Sequence, residues 1–162
     1  MSAERSILVL GLGNILMQDD GVGVHAANAL DASRVAWIQC PDSVVIRDGG
    51  TLGLSLLPEV EACGALIVLD AAILSACPGT VKTFEGAAMD AQLSGKKYSV
   101  HEVALFDLLA AAELLGCKPE RRALIGVQPE IVDWGLAPTP AVAAAIPEIH
   151  AAVRELVERW TP

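Results

Sequence analysis

The chain has 162 residues, of which 53% are hydrophobic, so we expect a single domain over residues 1–162 with one buried core. Twenty acidic residues outnumber eleven lysines and arginines, and the formal net charge at pH 7 is −9. This charge repels polyanions, which argues against a nucleic acid or an anionic membrane as partner and favours cations and basic segments. We find no secretory signal and no apolar stretch long enough to cross a bilayer, and we therefore expect a cytoplasmic protein.

Three apolar runs in the first half of the chain end at Asp or directly before Gly and predict buried strands: "SILVLGL", "SVVIRD" and "ALIVLD". Helical stretches at 22–32 and 52–62 lie between them. This alternation predicts parallel β-α-β units with right-handed crossovers. The next strand-like run, "TVKTFEG", follows Asp70 after only about ten residues, which leaves little room for a crossover helix. We therefore expect this run to be an antiparallel edge strand.

A long helix is predicted near the middle of the second half of the chain. Residues 86–98 are expected to form a loop. Ser99 and Glu102 then form a capping box, and Gly116 supplies a stop signal. The helix is therefore expected to fill the interval between this box and this glycine.

The C-terminal part predicts one more strand and one more helix. The strand is "RRALIGVQP", and Thr139 and Pro140 open the helix, in which we expect a kink at Pro147. The predicted fold is an α/β fold with three layers. Its twisted, mostly parallel sheet has about five strands flanked by helices, and one antiparallel edge strand.

The loop after the first strand resembles a phosphate-binding turn but departs from it. Gly11 and Gly13 follow an apolar run, yet Leu16 stands where a dinucleotide-binding fingerprint needs its third glycine. Asp19 and Asp20 would also face the pyrophosphate. We therefore favour a cation as the ligand of this loop.

Polar residues follow most of the predicted strands at the edge where α/β sheets bind ligands. They are Asn14, Asp19, Asp20, Asp48, Asp70, Gln128 and Glu130. If the first strand lies between the second and the third, Asp20 and Asp70 flank the point where the strand order reverses. His101 is the second residue of the predicted long helix, where the helix dipole favours a neutral imidazole. Two carboxylates and an imidazole suit divalent nickel, zinc, manganese or iron.

Each of these residues also has an ordinary structural interpretation. Asp19, or else Asp20, is expected to cap the first helix. Asp48 stands before two glycines in "RDGGT" and is suited to a tight turn. Asp70 is able to satisfy the loop that it enters, and His101 to be an ordinary first-turn residue. The functional interpretation depends on all of them meeting at one edge of the sheet.

The four cysteines are spaced too widely for a zinc knuckle or a redox motif. Cys40, Cys63, Cys77 and Cys117 form no C-x-x-C pair. We expect reduced thiols.

Taken together and in order, the motifs resemble one family. They are "GLGNILMQDDGVGV", "RDGGTLGLSLL", "LIVLDA", "PGTV", "SVHEVALFDLLAAAELLG" and "LIGVQP". This series resembles the hydrogenase maturation proteases, the endopeptidases that trim the C-terminal tail of the [NiFe] hydrogenase large subunit. The resemblance implies that Asp20, Asp70 and His101 are metal ligands, with Asp20 standing where some members have Glu. It further implies that Asp48 matters for processing without binding the metal.

The resemblance implies a nickel-dependent endopeptidase that removes the C-terminal extension from the large-subunit precursor after nickel insertion. The nickel would be supplied by the substrate, and zinc or cadmium is expected to occupy the site in vitro. We expect a monomer. Either a metal-bound water attacks the peptide, with Asp48 orienting it or acting as base, or the metal only positions the peptide. A module that checks for nickel without cutting is the alternative function, since the sequence contains no H-E-x-x-H and no G-x-S-x-G.

Overall fold

A computed structural model describes residues 6–37, 40–95 and 100–162, with side chains from residue 103 onward in the last range. Within these ranges five strands form one sheet: β1 (Ile7–Leu12), β2 (Val44–Gly50), β3 (Ala65–Ala71), β4 (Val81–Glu85) and β5 (Arg121–Val127). The same described residues form six α-helices that flank the sheet: α1 (Val22–Ala32), α2 (Leu57–Ala62), α3 (Ala87–Leu93), α4 (Val100–Leu114), α5 (Pro140–Ala143) and α6 (Ile146–Trp160). The predicted α/β fold is confirmed.

The strand order is β2-β1-β3-β5-β4, so β1 lies between β2 and β3, which is the arrangement in which Asp20 and Asp70 flank the reversal point. The pairs β1–β2, β1–β3 and β3–β5 are parallel, while β4 pairs antiparallel with β5 at the edge. The antiparallel edge strand is therefore as predicted. The carboxyl ends of the four parallel strands lie side by side at one end of the sheet. We call it the carboxyl edge. The strand order reverses there between β1 and β3.

Alternate residues of the buried strands face two separate hydrophobic layers. In β3, Ile67 and Leu69 pack with helices α1, α5 and α6 on one face. Leu66 and Val68 pack with α2, α3 and α4 on the other. Because side chains alternate along a strand, each residue of β3 can be assigned to a face from its number.

Two predictions for the second half of the chain are wrong. Residues 87–93, predicted to be loop, form helix α3, because Met89 and Leu93 lie one turn apart and are both buried against the sheet. The predicted kinked helix after Thr139 is instead the two helices α5 and α6. Pro147 lies in the first turn of α6, where its missing N–H has no partner to lose.

Three smaller expectations have mixed outcomes. The 52–62 stretch is a 3₁₀ turn at Gly53–Leu56 followed by α2. Ser99, half of the predicted capping box, lies outside the described residues. None of the four cysteines, all of which lie within the described residues, forms a disulfide. Within the described ranges we find no helix long and apolar enough to cross a membrane.

Candidate metal centre at the carboxyl edge

The loop after β1 folds back on itself and buries Asp20. Gly13 has a φ of +128°, and a Cβ at this position would lie 1.9 Å from the Asp20 carbonyl oxygen. The backbone N–H of Asn14 donates to Asp20 Oδ2 at 3.0 Å. Asp20 then lies in a short 3₁₀ turn at Gln18–Gly21 that leads into α1, and it is only 5% exposed. A glycine at position 13 is therefore what lets the carboxylate come so close to the strand end.

Asp19 is a structural carboxylate rather than a helix cap. The N-cap residue of α1 is Gly21, so the cap predicted for Asp19 or Asp20 is wrong. Asp19 instead accepts hydrogen bonds from the backbone N–H groups of Glu130 (2.9 Å), Ile131 (2.9 Å) and Thr139 (2.6 Å), and from the Thr139 hydroxyl. It is fully buried and joins the loop after β1 to the loop after β5.

Asp70 lies near the end of β3 on the face that carries α4. It follows Leu66 and Val68 in the alternation of β3 and is 2% exposed. The first turn of α1 reaches this strand end, because a Cβ on Gly23 would lie 2.0 Å from the carbonyl oxygen of Leu69. Asp20, which follows β1, and Asp70, near the end of β3, therefore lie at the ends of neighbouring strands at the reversal point, where the backbones of α1 and β3 are in close contact.

His101 is the second residue of α4, and its side chain lies outside the described residues. Helix α4 leads into the start of β5, so it runs from the carboxyl edge to the opposite edge. Its first turns approach the residues after β2, where a Cβ on Gly53 would lie 3.1 Å from Ala104 Cβ. The backbone thus brings position 101 to the same edge as Asp20 and Asp70. Among the described side chains, no three His, Cys, Asp or Glu residues form a metal-binding group.

Asp48 reaches the same edge but faces the other way. It pairs with Gly11 in the register of β1 and β2, one rung before the strands end. Val44 and Ile46 pack in the α1-side layer, and Asp48 continues their alternation along β2, so Asp48 lies on the α1 side, just before the register shift at Gly49. Its side chain is exposed. The alternation therefore separates the Asp48 carboxylate from the buried Asp20 and Asp70 carboxylates.

The two other polar residues at this edge have different surroundings. Gln128 Oε1 accepts a hydrogen bond from Leu74 N at 2.7 Å, which ties the loop after β3 to that after β5. Glu130 is exposed and contributes its backbone N–H to Asp19. Thr139, predicted as a helix start, also holds Asp19. The pairing of Asp19 with Thr139 spans 120 residues, and no local sequence signal indicates it.

Comparison with known proteins gives the family. The model of the hydrogenase maturation protease family HycI matches residues 25–156. The chain belongs to this family. The hydrogenase expression/formation protein HupD of Rhodobacter capsulatus is 42% identical over 152 residues, covering 93% of this chain and 70% of the relative. The hydrogenase 2 maturation protease of Escherichia coli K12 is 37% identical, covering 92% and 91% of the two chains.

The solved structures agree with the sequence relatives. The hydrogenase maturating endopeptidase HybD of E. coli superposes with a TM-score of 0.86 at 34% identity, covering 96% of this chain and 94% of that one. The [NiFe] hydrogenase maturation protease HybD of Thermococcus kodakarensis superposes with a TM-score of 0.73 at 25% identity, covering 93% and 98%. The family resemblance is confirmed, and the protein is an endopeptidase, a hydrolase of hydrogenase maturation. This favours the enzyme over the non-cleaving module.

Proposed function

We propose that this protease removes the C-terminal extension of the [NiFe] hydrogenase large-subunit precursor after nickel insertion, acting as a monomer in the cytoplasm. The observation that carries the proposal is the placement of two buried carboxylates, Asp20 and Asp70, at the reversal point of the sheet, beside the start of the helix that carries His101. Ligands of open α/β sheets bind at this point.

The chemistry of these three residues supports nickel as part of the substrate. Carboxylate oxygens and a neutral imidazole nitrogen are suitable ligands for divalent nickel, and zinc and cadmium would be alternative occupants in vitro. Three such ligands without a thiolate bind a free metal ion weakly. We therefore propose that nickel arrives already bound to the precursor and gains ligands from Asp20, Asp70 and His101.

The exposed Asp48 carboxylate has a separate part in the proposal. Its side chain is open to a peptide that lies across the carboxyl edge, while Asp20 and Asp70 are buried. An ionised carboxylate there is able to orient the attacking water, or to accept its proton as the scissile carbonyl is attacked. Asp48 would thus act on the peptide and the buried pair on the metal.

The decisive experiment compares nickel-loaded with nickel-free precursor. Each is mixed with excess protease in a single-turnover reaction, and the mass of the large subunit is followed. We expect loss of the C-terminal extension from the nickel-loaded precursor alone. Cleavage of metal-free precursor in the presence of a strong chelator would contradict nickel dependence.

Matched variants test the site residues in the same assay. Asp70→Asn and His101→Ala are expected to lower the cleavage rate by at least about a hundredfold, since each removes a metal ligand. Asp31→Asn, which changes an exposed aspartate in α1, is the control and should cleave at the wild-type rate. Normal cleavage by Asp70→Asn would refute the assignment.

A further inference from the structure

Two loops at the carboxyl edge are paired into one unit. The first is residues 14–18 after β1 and the second is residues 130–136 after β5. Leu16 O accepts a hydrogen bond from Gly135 N at 2.9 Å, Gln18 N donates to Gly135 O at 3.0 Å, and Met17 and Gly135 form a parallel bridge. We call these two segments the double loop. Its first segment ends two residues before Asp20 in the chain.

The double loop exposes several large apolar side chains. They are Ile15, Leu16, Ile131, Trp134 and Leu136, with Trp134 and Leu136 each 75% exposed. Large apolar side chains gathered on one surface of a protein mark an interaction site, whereas single ones scattered over it need no explanation. Trp in particular is enriched among the residues that dominate binding energy at interfaces.

The backbone that carries these side chains is held firmly. The Asp19 carboxylate accepts hydrogen bonds from the backbone N–H groups of Glu130 and Ile131, and the backbone N–H of Asp19 donates to Ile131 O at 3.2 Å. A Cβ on Gly135 would lie 2.6 Å from Gln18 Cγ, so the two segments pack against each other. The apolar side chains are therefore exposed on an ordered support, which reduces the entropy cost of binding a partner there.

The charge around the double loop limits what can bind to it. The sequence has no Lys or Arg in residues 6–33 or in residues 123–153, which include both segments. Glu130 and Asp133 are exposed on the second segment. A partner segment with apolar side chains next to Lys or Arg side chains would complement this surface in both respects.

We propose that the double loop is the docking surface for the precursor, which it binds through a segment of apolar side chains flanked by basic ones. This inference rests on the proposed function, because it names the surface through which the same substrate is held. Trp134 and Leu136 are the anchors, and Glu130 and Asp133 select the basic flank. The double loop supplies affinity that does not depend on the metal, and the buried carboxylates are needed for cleavage.

The test separates affinity from cleavage rate in single-turnover reactions on nickel-loaded precursor. We expect Trp134→Ala and Leu136→Gln each to raise the half-saturating protease concentration by about tenfold or more, with the maximal rate unchanged within about twofold. Leu114→Gln is the matched control. Leu114 is 89% exposed at the end of α4, on the opposite edge of the sheet, and its loss should change neither value.

A pair of charge reversals tests the basic flank in the same assay. Glu130→Lys should raise the half-saturating concentration several-fold. Glu120→Lys, at an exposed position before β5 on the opposite edge, should leave it unchanged. Equal effects of the two reversals would show a general charge effect and contradict the assigned flank.

Direct binding keeps this inference distinguishable from the proposed function. Nickel-free precursor immobilised on a sensor should lose affinity for Trp134→Ala and keep it for Leu114→Gln, whether or not any cleavage of nickel-loaded precursor is observed. Wild-type affinity of Trp134→Ala would overturn the docking surface and leave the proposed function intact. Size-exclusion chromatography tests whether the surface binds a second copy instead. If the wild type is a dimer, and Trp134→Ala is a monomer with unchanged precursor affinity, the surface belongs to the dimer interface and the inference is overturned.

Discussion

Adjacent aspartates in the opening loop have separate tasks. Asp19 receives hydrogen bonds from three backbone N–H groups and a hydroxyl, while Asp20 accepts one from Asn14 and turns toward the end of β1. The first holds two distant loops together, and the second is a proposed metal ligand. Substitution should therefore separate stability from activity at neighbouring positions.

Replacement of Asp19 by Asn should destabilise the fold. The Asn amide would present an NH₂ donor where Asp19 now meets only donors, and a buried unsatisfied group costs about 1–3 kcal/mol, with more for lost charge-assisted bonds. We expect the free energy of unfolding to fall by about 2–4 kcal/mol in urea titrations. Asp31→Asn is again the exposed control. An Asp19→Asn variant with wild-type stability would show that the carboxylate does not hold the loops.

The sequence indicates which residues reach the carboxyl edge better than it indicates how they are used there. Asp20 and Asp70 follow recognisable strands, so their location could be predicted from strand ends alone. The part played by Asp19 could not, because its partners lie 111 to 120 residues away. The face on which Asp48 lies was equally hidden, since it depends on the register of β2 against β1.

At the scale of elements, the contact of α1 with β3 positions the opening loop. Gly23 makes this contact possible, and Gly23→Ala would push Cβ to within 2.0 Å of the Leu69 carbonyl. Alanine favours a helix by about 1 kcal/mol over glycine, but such an overlap should outweigh this gain. We expect a net loss of about 2 kcal/mol in the free energy of unfolding, together with slower cleavage, since Asp20 lies one turn away.

Gly95→Ala provides the comparison for this substitution. A Cβ there meets its nearest atom, Gln92 O, at 3.4 Å, an ordinary van der Waals distance. The variant should therefore be close to wild type in both measurements. If Gly23→Ala is no less stable than Gly95→Ala, the close approach of α1 to β3 is not what positions the loop.

A second element contact predicts a dependence on pH. Arg122 in β5 donates to both carboxylate oxygens of Asp90 in α3, at 3.0 and 2.6 Å, and Lys118 adds a contact at 3.3 Å. The hydrogen bonds from Arg122, aided by Lys118, hold the pKa of Asp90 below its usual value of 3.8. A lowered pKa in the folded state stabilises the protein above the pKa of the unfolded state. This contribution is lost as the pH falls through the folded-state pKa.

Asp90→Asn should accordingly be less stable than the wild type near neutral pH but not in acid. Because the Asp90 side chain is about one third exposed, solvent screening limits the expected difference to about 1 kcal/mol at about pH 7. The difference should shrink as the pH falls below about 3.8 and disappear once the pH is below the lowered folded-state pKa of Asp90, where the wild-type carboxylate is protonated. Urea titrations over this range measure it, with Asp107→Asn as exposed control. A constant difference at all pH values would exclude the charged pair as its cause.

The elements themselves were predictable to different degrees. The buried strands β1, β3 and β5 stand out because both faces are covered, which makes each a continuous apolar run. Helix α3 does not stand out in the sequence, because "AAMDAQL" is short and rich in alanine. Its conformation is decided by the packing of Met89 and Leu93 against the sheet. The break between α5 and α6 likewise depends on tertiary packing, because the apolar stripe runs on through it.

At the scale of the whole molecule, the net charge of −9 acts over distances that no single contact reaches. Acidic residues outnumber basic ones by twenty to eleven, and the double loop lies in stretches without Lys or Arg. A precursor that approaches with a basic segment would be drawn in before any contact is made. Salt weakens such long-range attraction far more than it weakens buried contacts, because the Debye length falls to a few ångströms.

The association rate with the precursor should therefore fall steeply with ionic strength. We expect a decrease of about tenfold as salt rises from about 50 mM to about 500 mM, with a much smaller change in the dissociation rate, since steering acts on the encounter. Stopped-flow or sensor measurements with Asp70→Asn, which should bind without cutting, give both rates.

Trp134→Ala tests the contribution of the double loop in the same measurements. It should dissociate faster at every salt concentration while keeping the same salt dependence of association, because Trp134 acts only after contact. An association rate indifferent to salt would mean that the acidic surface has no part in capture, and would leave apolar docking alone to account for recognition.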